Sequence, residues 1–381
     1  MVTLGFILDQ LLGDVPGGIG RYTENLAREV IKRAPEGTRV EGLTAMITAE
    51  QEQQLYDRLH GLSSIRSAKL TRRALSKSWQ HGLLTNAYGG GLVHAPSLYA
   101  PMRDKASGDL TQLVVTVHDA VPWTHPDTLT RNGVRWHKAM LKRAYLYADA
   151  VVTPTHAVAE QLAGIYRFRD RLRVIPGAAS PDVALPDSEA ERDAIAARLE
   201  LPADFILAIG TLEPRKGLDR LVRALARPEL RDAVLVHAGP AGWGEVSFDS
   251  LCADAGVDRA RVRDLGFVSD AELAVALDRA AVYCMPSLDE GFGLPVLEAF
   301  RAGTPVVHTD VPALLEVSQG SSLSVPLAPD ASFEERLALA LSNVLGDAEL
   351  RDTLITAGRD RVPIYSWAHS ADLVWRLHAD L

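Results

Sequence analysis

Runs of four to six consecutive apolar, β-branched residues alternate along this chain with segments whose apolar positions recur at helical spacing. The first half holds TLGFIL, GLVHAP, QLVVTVHD and DAVVTPT as strands, with helices predicted over Tyr22–Arg33 and Trp136–Tyr147. The second half holds DFILAIGT, DAVLVHAGP, RVRDLGFV, AAVYCMP and TPVVHT, separated by helices over Leu218–Leu225, Ala271–Ala280 and Leu294–Ala302. Strands that are apolar on both faces belong in sheets covered on both sides. The pattern predicts an α/β chain of two doubly wound, Rossmann-like domains. The boundary falls in the proline-studded stretch VIPGAASPDVALPDS, which has no periodicity. This gives a first domain over residues 1–175, a linker over 176–188 and a second domain over 189–364. Residues 365–381 form a closing helix.

Composition narrows the class. At 381 residues and 47% hydrophobic, the chain has ample material for two cores. No apolar run reaches the length of a membrane span, and the N-terminus lacks the basic start of a signal peptide. The two cysteines, Cys252 and Cys284, make neither a disulfide framework nor a zinc pattern, so a reducing cytoplasmic setting is expected. A net charge of −9 argues against nucleic acid as a partner. The charge is unevenly spread: from Arg58 to Arg103 there is no acid but seven Lys or Arg, among them Arg66, Lys69, Arg72, Arg73 and Lys77. Leu62, Ile65, Lys69, Arg72, Arg73 and Ser76 fall on helical spacings. The window reads either as a solvated basic face over an apolar stripe or as a basic amphipathic helix docking on an anionic membrane surface or a lipid-diphosphate acceptor.

Four stretches carry candidate chemistry. Residues 287–307, SLDEGFGLPVLEAFRAGTPVV, place Glu290 on a glycine-rich loop and Glu298 eight positions later inside a helix opened by Pro295. The helix start suits an anion, and the carboxylates suit hydroxyls beside it. The plainer alternative makes Glu290 an N-cap partner and Glu298 a surface charge. In residues 206–225, Arg215 and Lys216 stand at a helix entrance after a strand, placed for a diphosphate or simply solvated. In residues 14–29, Gly17, Gly18 and Gly20 open a helix with spacing that fails the dinucleotide fingerprint; this is either an anion loop or a tight turn. In residues 114–126, His118 and Asp119 follow a strand end, where the histidine either bonds a substrate hydroxyl or a backbone group. The asparate beside it either orients that histidine or serves on the acceptor side. No DxD metal motif occurs in the chain.

In this order, the four stretches resemble the retaining GT-B glycosyltransferases of family 4, in particular their mannosyltransferase-like branch, over nearly the whole chain. EGFGLPVLE is similar to the family's E-x7-E motif, GTLEPRKG to its phosphate loop, and GGIGRYTENL and HD-x-VP-x-x-HP to its N-terminal motifs. The resemblance implies a GT-B fold with two Rossmann-like domains facing a central cleft, the last helix crossing back to the first domain with Trp367 as anchor. It implies a hexosyltransferase acting on a nucleoside-diphosphate sugar, with GDP-mannose favoured, without a metal or other cofactor. The acceptor would be a glycan, a lipid-linked or a small-molecule hydroxyl, in cell-envelope or polysaccharide biosynthesis. Glu290 and the backbone of Gly291, Phe292, Gly293 and Leu294 would hold the donor sugar and phosphates, Glu298 the ribose, and Arg215 and Lys216 the diphosphate. Gly18 would let the first domain's loop approach the donor, and His118 would contact the sugar. Phe267 and Val268 would pair the base through their backbone. Asp119, Arg66, Arg72 and Arg73 fall on the acceptor side. Where many members carry arginine after the glycine that ends the strand, this chain has Thr211, and its arginine stands beside the lysine as Arg215. An NDP-sugar epimerase and a non-catalytic sugar-nucleotide binding protein are the competing readings; a Rossmann dehydrogenase lacks its fingerprint.

Overall fold

The computed structural model describes residues 2–13, 17–242, 246–328 and 332–381. The chain forms two compact units, one of residues 1–177 with 366–381, the other of residues 178–365. Residues 14–16, which open the glycine motif after the first strand, lie outside the described residues.

Among the described residues, the first unit is a seven-stranded parallel sheet in the order β3-β2-β1-β4-β5-β6-β7. Its strands are β1 Val2–Ile7, β2 Thr38–Thr44, β3 Ser64–Ser67, β4 Leu92–Ala95, β5 Gln112–Thr116, β6 Ala150–Thr153 and β7 Leu172–Val174. The order reverses between β1 and β4, where Leu4 pairs with Val40 on one side and Leu92 on the other. The second unit is a six-stranded parallel sheet in the order β10-β9-β8-β11-β12-β13 among the described residues. Its strands are β8 Ile206–Ile209, β9 Leu235–Ala238, β10 Val262–Asp264, β11 Val282–Met285, β12 Val306–Thr309 and β13 Leu323–Val325. All four residues of β6, β9, β11 and β12 are buried, as two covered faces demand. Leu43, Val115, Val151 and Trp79 lie in the first core, and Ile206, Leu235, Cys284 and Val307 in the second.

The closing helix Trp367–Asp380 belongs to the first unit and packs along Gly18–Lys32. Trp375 Nε1 donates to the Val30 carbonyl at 3.0 Å, and Arg33 grips Asp372 through two bonds of 2.7 Å. Trp367 meets Tyr22 edge-on at 5.5 Å. Both cysteines are free and buried. Among the described residues, no helix is long and apolar enough to cross a membrane.

Residues 178–188, read from composition as linker, are packed on the second unit: Ala178 and Val183 are buried, and Arg301 donates to the carbonyls of Ser180 and Val183. The chain changes units at Gly177–Ala178 and again at Tyr365–Ser366. The basic amphipathic helix across residues 62–76 does not form. Ser64–Ser67 is an edge strand paired with β2, and only Arg72–Gln80 is helical, its start capped by Thr71. Cross-strand pairing decides this, because Arg66 sits beside Glu41 at 2.6 Å, a partner that helical geometry would remove. The acids missing from the window arrive from elsewhere in the chain: Glu24 takes Arg58, Glu41 takes Arg66 and Asp109 takes Arg103.

Candidate active site

A cluster of buried charge lies in the second unit, beyond the carboxyl ends of β8 and β11. After β8 the chain runs through Gly210 into a single turn, Pro214–Lys216, and then the helix Leu218–Leu225. Gly217 joins the two with φ of +65°, and a β-carbon there would sit 2.1 Å from the Pro286 carbonyl oxygen. Only glycine lets this loop lie so close to the one that follows β11. That second loop ends at Gly293, φ +88°, which starts the helix Leu294–Ala302 with Pro295 in its first turn.

This contact brings Glu290 onto the two cations. Lys216 Nζ donates to Glu290 Oε1 at 2.7 Å, and Ser287 Oγ donates to the same oxygen at 2.8 Å. Arg215 Nη1 lies 3.1 Å from Glu290 Oε2 and 3.0 Å from the Asp289 carbonyl, while Nη2 reaches Glu213 at 2.9 Å. The main chains are joined as well, Leu288 N donating to the Arg215 carbonyl at 2.8 Å. Burial alone would push the Glu290 carboxyl up, but Lys216 and Arg215, with the bonds from Lys216 and Ser287, outweigh it and hold the group at about 2. Glu290 is therefore an ionised acceptor at neutral pH. The N-cap alternative falls away, since the helix Leu294–Ala302 starts without a side-chain cap. The surface-charge alternative for Glu298 falls away too, because Glu298 is 1% exposed.

Residues 191–361 match the family model described as glycosyl transferases group 1, and residues 16–183 match that of glycosyltransferase family 4. The chain is a glycosyltransferase built of these two domains, the family 4 domain in its first half and the group 1 domain in its second. This glycosyltransferase is 27% identical over 285 residues to the O-antigen chain mannosyltransferase B of Escherichia coli, covering 74% of this chain and 72% of that protein. It is 35% identical over 239 residues to a D-inositol 3-phosphate glycosyltransferase of Stackebrandtia nassauensis, covering 59% of this chain but only 52% of that one. The fold matches that of Anabaena HepE in complex with UDP-glucose, with a TM-score of 0.73 and 16% identity over the full length of both chains. The architecture is thus GT-B.

The glycosyltransferase's remaining candidate residues divide between the units. In the second, Phe292 is buried edge-on against Tyr365 at 5.5 Å, and Tyr365 is held in turn by Arg361 at 2.8 Å. Gly291 and Leu294 flank the helix start, and Thr211 is half-buried beyond Gly210. Phe267 is exposed and Val268 buried, in the turn after β10. In the first unit, Gly18 opens its helix where an added β-carbon would meet no atom of the described residues, so their packing does not demand a glycine there. His118 Nε2 donates to the Pro96 carbonyl at 2.7 Å, and its ring meets Tyr22 edge-on at 4.7 Å. Burial lowers its proton affinity against the pull of Pro96 and Asp119, so the ring is neutral with Nδ1 as an acceptor. Asp119 spends Oδ1 on the Val121 N–H at 3.1 Å; Pro96 and Tyr22, rather than Asp119, orient the histidine. Arg72 donates to Gln10 at 2.7 Å and lies over Tyr99, while Arg73 is exposed. Sequence reading missed Ser287 and Glu213 as parts of the site. Both stand inside the quoted motifs, but neither spacing nor residue type marks a side chain that braces another.

Proposed function

We propose that this glycosyltransferase moves a hexose, with mannose from GDP-mannose favoured, from a nucleoside-diphosphate sugar to an acceptor hydroxyl, with retention and without a metal. The observation that carries the reading is the buried Glu290 carboxylate clamped by Lys216, Arg215 and Ser287 beside a helix start. Charge grows on the leaving diphosphate as its bond to the anomeric carbon stretches, so cations and helix N–H groups already fixed there stabilise the transition state more than the bound donor. Lys216, with one flexible point charge, is the group that turns from Glu290 to the diphosphate. Arg215, braced by Glu213 and the Asp289 carbonyl, keeps Glu290 aimed at the sugar hydroxyls. The leaving phosphate takes the acceptor's proton, so no protein nucleophile is assigned. Glu298 receives the ribose, and the backbone at Phe267 and Val268 the base. The name of the Escherichia coli relative supports mannose, and the UDP-glucose bound to HepE supports a nucleotide-sugar donor.

The acceptor is a glycan, a lipid-linked sugar or a small molecule met by the first unit. Lys69, Arg72, Arg73 and Lys77 are exposed on or beside Arg72–Gln80, and Leu83 and Leu84 are exposed just after it, a surface suited to an anionic headgroup or phosphate. A thermal-shift screen across GDP-, UDP-, dTDP- and ADP-sugars tests the donor reading. A donor at a hundred times its Kd stabilises by about 2.7 kcal/mol. A screen in which no sugar nucleotide shifts the transition overturns it.

A further inference from the structure

One buried side chain ties together the loops that follow β8, β9 and β10, and the mechanism above does not use it. His237, the third residue of β9, is 1% exposed. Its Nε2 lies 2.7 Å from the Gly210 carbonyl oxygen and its Nδ1 2.9 Å from Asp264 Oδ1. A carbonyl oxygen only accepts. The Asp264 carboxyl is held below its ordinary range, first by the bond from His237 and against the push of burial, so it accepts as well. Both ring nitrogens thus face acceptors, and the contacts are satisfied only when both carry hydrogen. Phe248 walls the ring at 5.0 Å.

The ties continue from there. Asp264 Oδ1 also accepts from Gly266 N at 3.1 Å, and the Gly266 carbonyl accepts from Gly239 N at 2.8 Å. Gly239 approaches Gly210 so closely that a β-carbon would lie 2.0 Å from the Gly210 carbonyl oxygen. That carbonyl is therefore gripped from two sides. In a trans peptide the following N–H points the opposite way, so the Thr211 N–H is turned away from His237. The Lys216 stem lies over the same glycine, its Cε 3.3 Å from where a β-carbon would stand.

We propose that His237 and Asp264 are positioning residues that lock the phosphate loop, residues 210–217, to the turn at residues 265–268, so that the base and diphosphate of a nucleoside diphosphate are read by one rigid cradle. The inference rests on the reading of that loop as the diphosphate site. Nitrogen-15 NMR of the histidines checks the first half, the tie itself: His237 Nε2 should report as the N–H that its contact with the Gly210 carbonyl requires, and an unprotonated Nε2 overturns the tie. Titration of GDP and UDP into wild type, His237→Phe and Asp264→Ala checks the second. The phenyl ring keeps the contact with Phe248 and loses both ring nitrogens; Asp264 is partly exposed, so its variant is the gentler one. Folded variants should bind both nucleotides about tenfold or more weakly, with a narrowed preference between bases, and donor KM should rise more than kcat falls. Wild-type affinity and preference in a folded Asp264→Ala or His237→Phe protein overturns the proposal alone. Wild type that binds neither GDP nor UDP, nor any sugar nucleotide, overturns the donor reading and this inference with it.

Discussion

Two buried carboxyls, one in each unit, show how surroundings decide what an acid does. Glu290 meets two cations and a hydroxyl and stays ionised. Asp9, 1% exposed at the end of β1, has the Ala45 N–H at 2.9 Å as its close donor, and burial lifts its carboxyl to about 6 against the weaker pulls of that bond and Arg72. The signs of their pH effects are opposite. Glu290, depressed from 4.5 to about 2, contributes stability that is present above its unfolded value and lost as pH falls toward the folded one. Asp9, raised from 3.8 to about 6, holds a proton in the native state that the unfolded chain releases, so stability falls as pH rises through that window. Asp9→Asn should therefore stabilise the protein above pH 6, by on the order of 2–3 kcal/mol, with the gain gone near pH 4. Denaturant unfolding at both ends of the window checks it; an equal gain at both would contradict the assignment.

At the scale of elements, the site depends on a loop that only glycine allows, and the first unit on a helix from the far end of the chain. Gly217→Ala would drive a methyl into the Pro286 carbonyl and add the strain of a positive φ, about 1 kcal/mol or more. Lys216 and Glu290 would part, so donor KM should rise in a protein that still folds; an unchanged donor KM speaks against the loop contact. Trp375, buried with its Nε1 on the Val30 carbonyl, pins Trp367–Asp380 to Gly18–Lys32. Trp375→Ala should destabilise the first unit by about 3–5 kcal/mol. Native-state hydrogen exchange should show the loss in residues 2–177 and spare residues 178–365. Uniform loss across both units would contradict the division.

Across the whole molecule, what was legible followed from locality. The strand–loop–helix blocks at residues 206–225 and 280–302 carry their apolar pattern, glycines and charges within about twenty positions, and each was readable in the sequence. What was not legible depends on distant partners. β3 and β7 are short edge strands, of four and three residues, whose definition comes from the strand beside them. The acid-free window looked uniformly basic because Glu24, Glu41 and Asp109 reach it only through the fold. Ser287 and Glu213 became visible only once the two loops met. What remains of the basic surface is testable. Reversing Lys69, Arg72, Arg73 and Lys77 to Glu should abolish binding to anionic vesicles at low salt, each charge contributing about 1 kcal/mol near such a surface, while donor binding is unchanged. Wild type that ignores those vesicles favours a non-membrane acceptor.

The central claim is that Lys216 and Glu290 do the electrostatic work on a nucleotide-sugar donor. Its most direct test is donor turnover, measured as release of the nucleoside diphosphate in the presence of EDTA, for wild type, Lys216→Ala and Glu290→Ala, each shown to be folded. Wild type should remain active under chelation, and each variant should fall about 100–1000-fold. Turnover that is abolished by EDTA in wild type, or that survives at the wild-type rate in either folded variant, would contradict it.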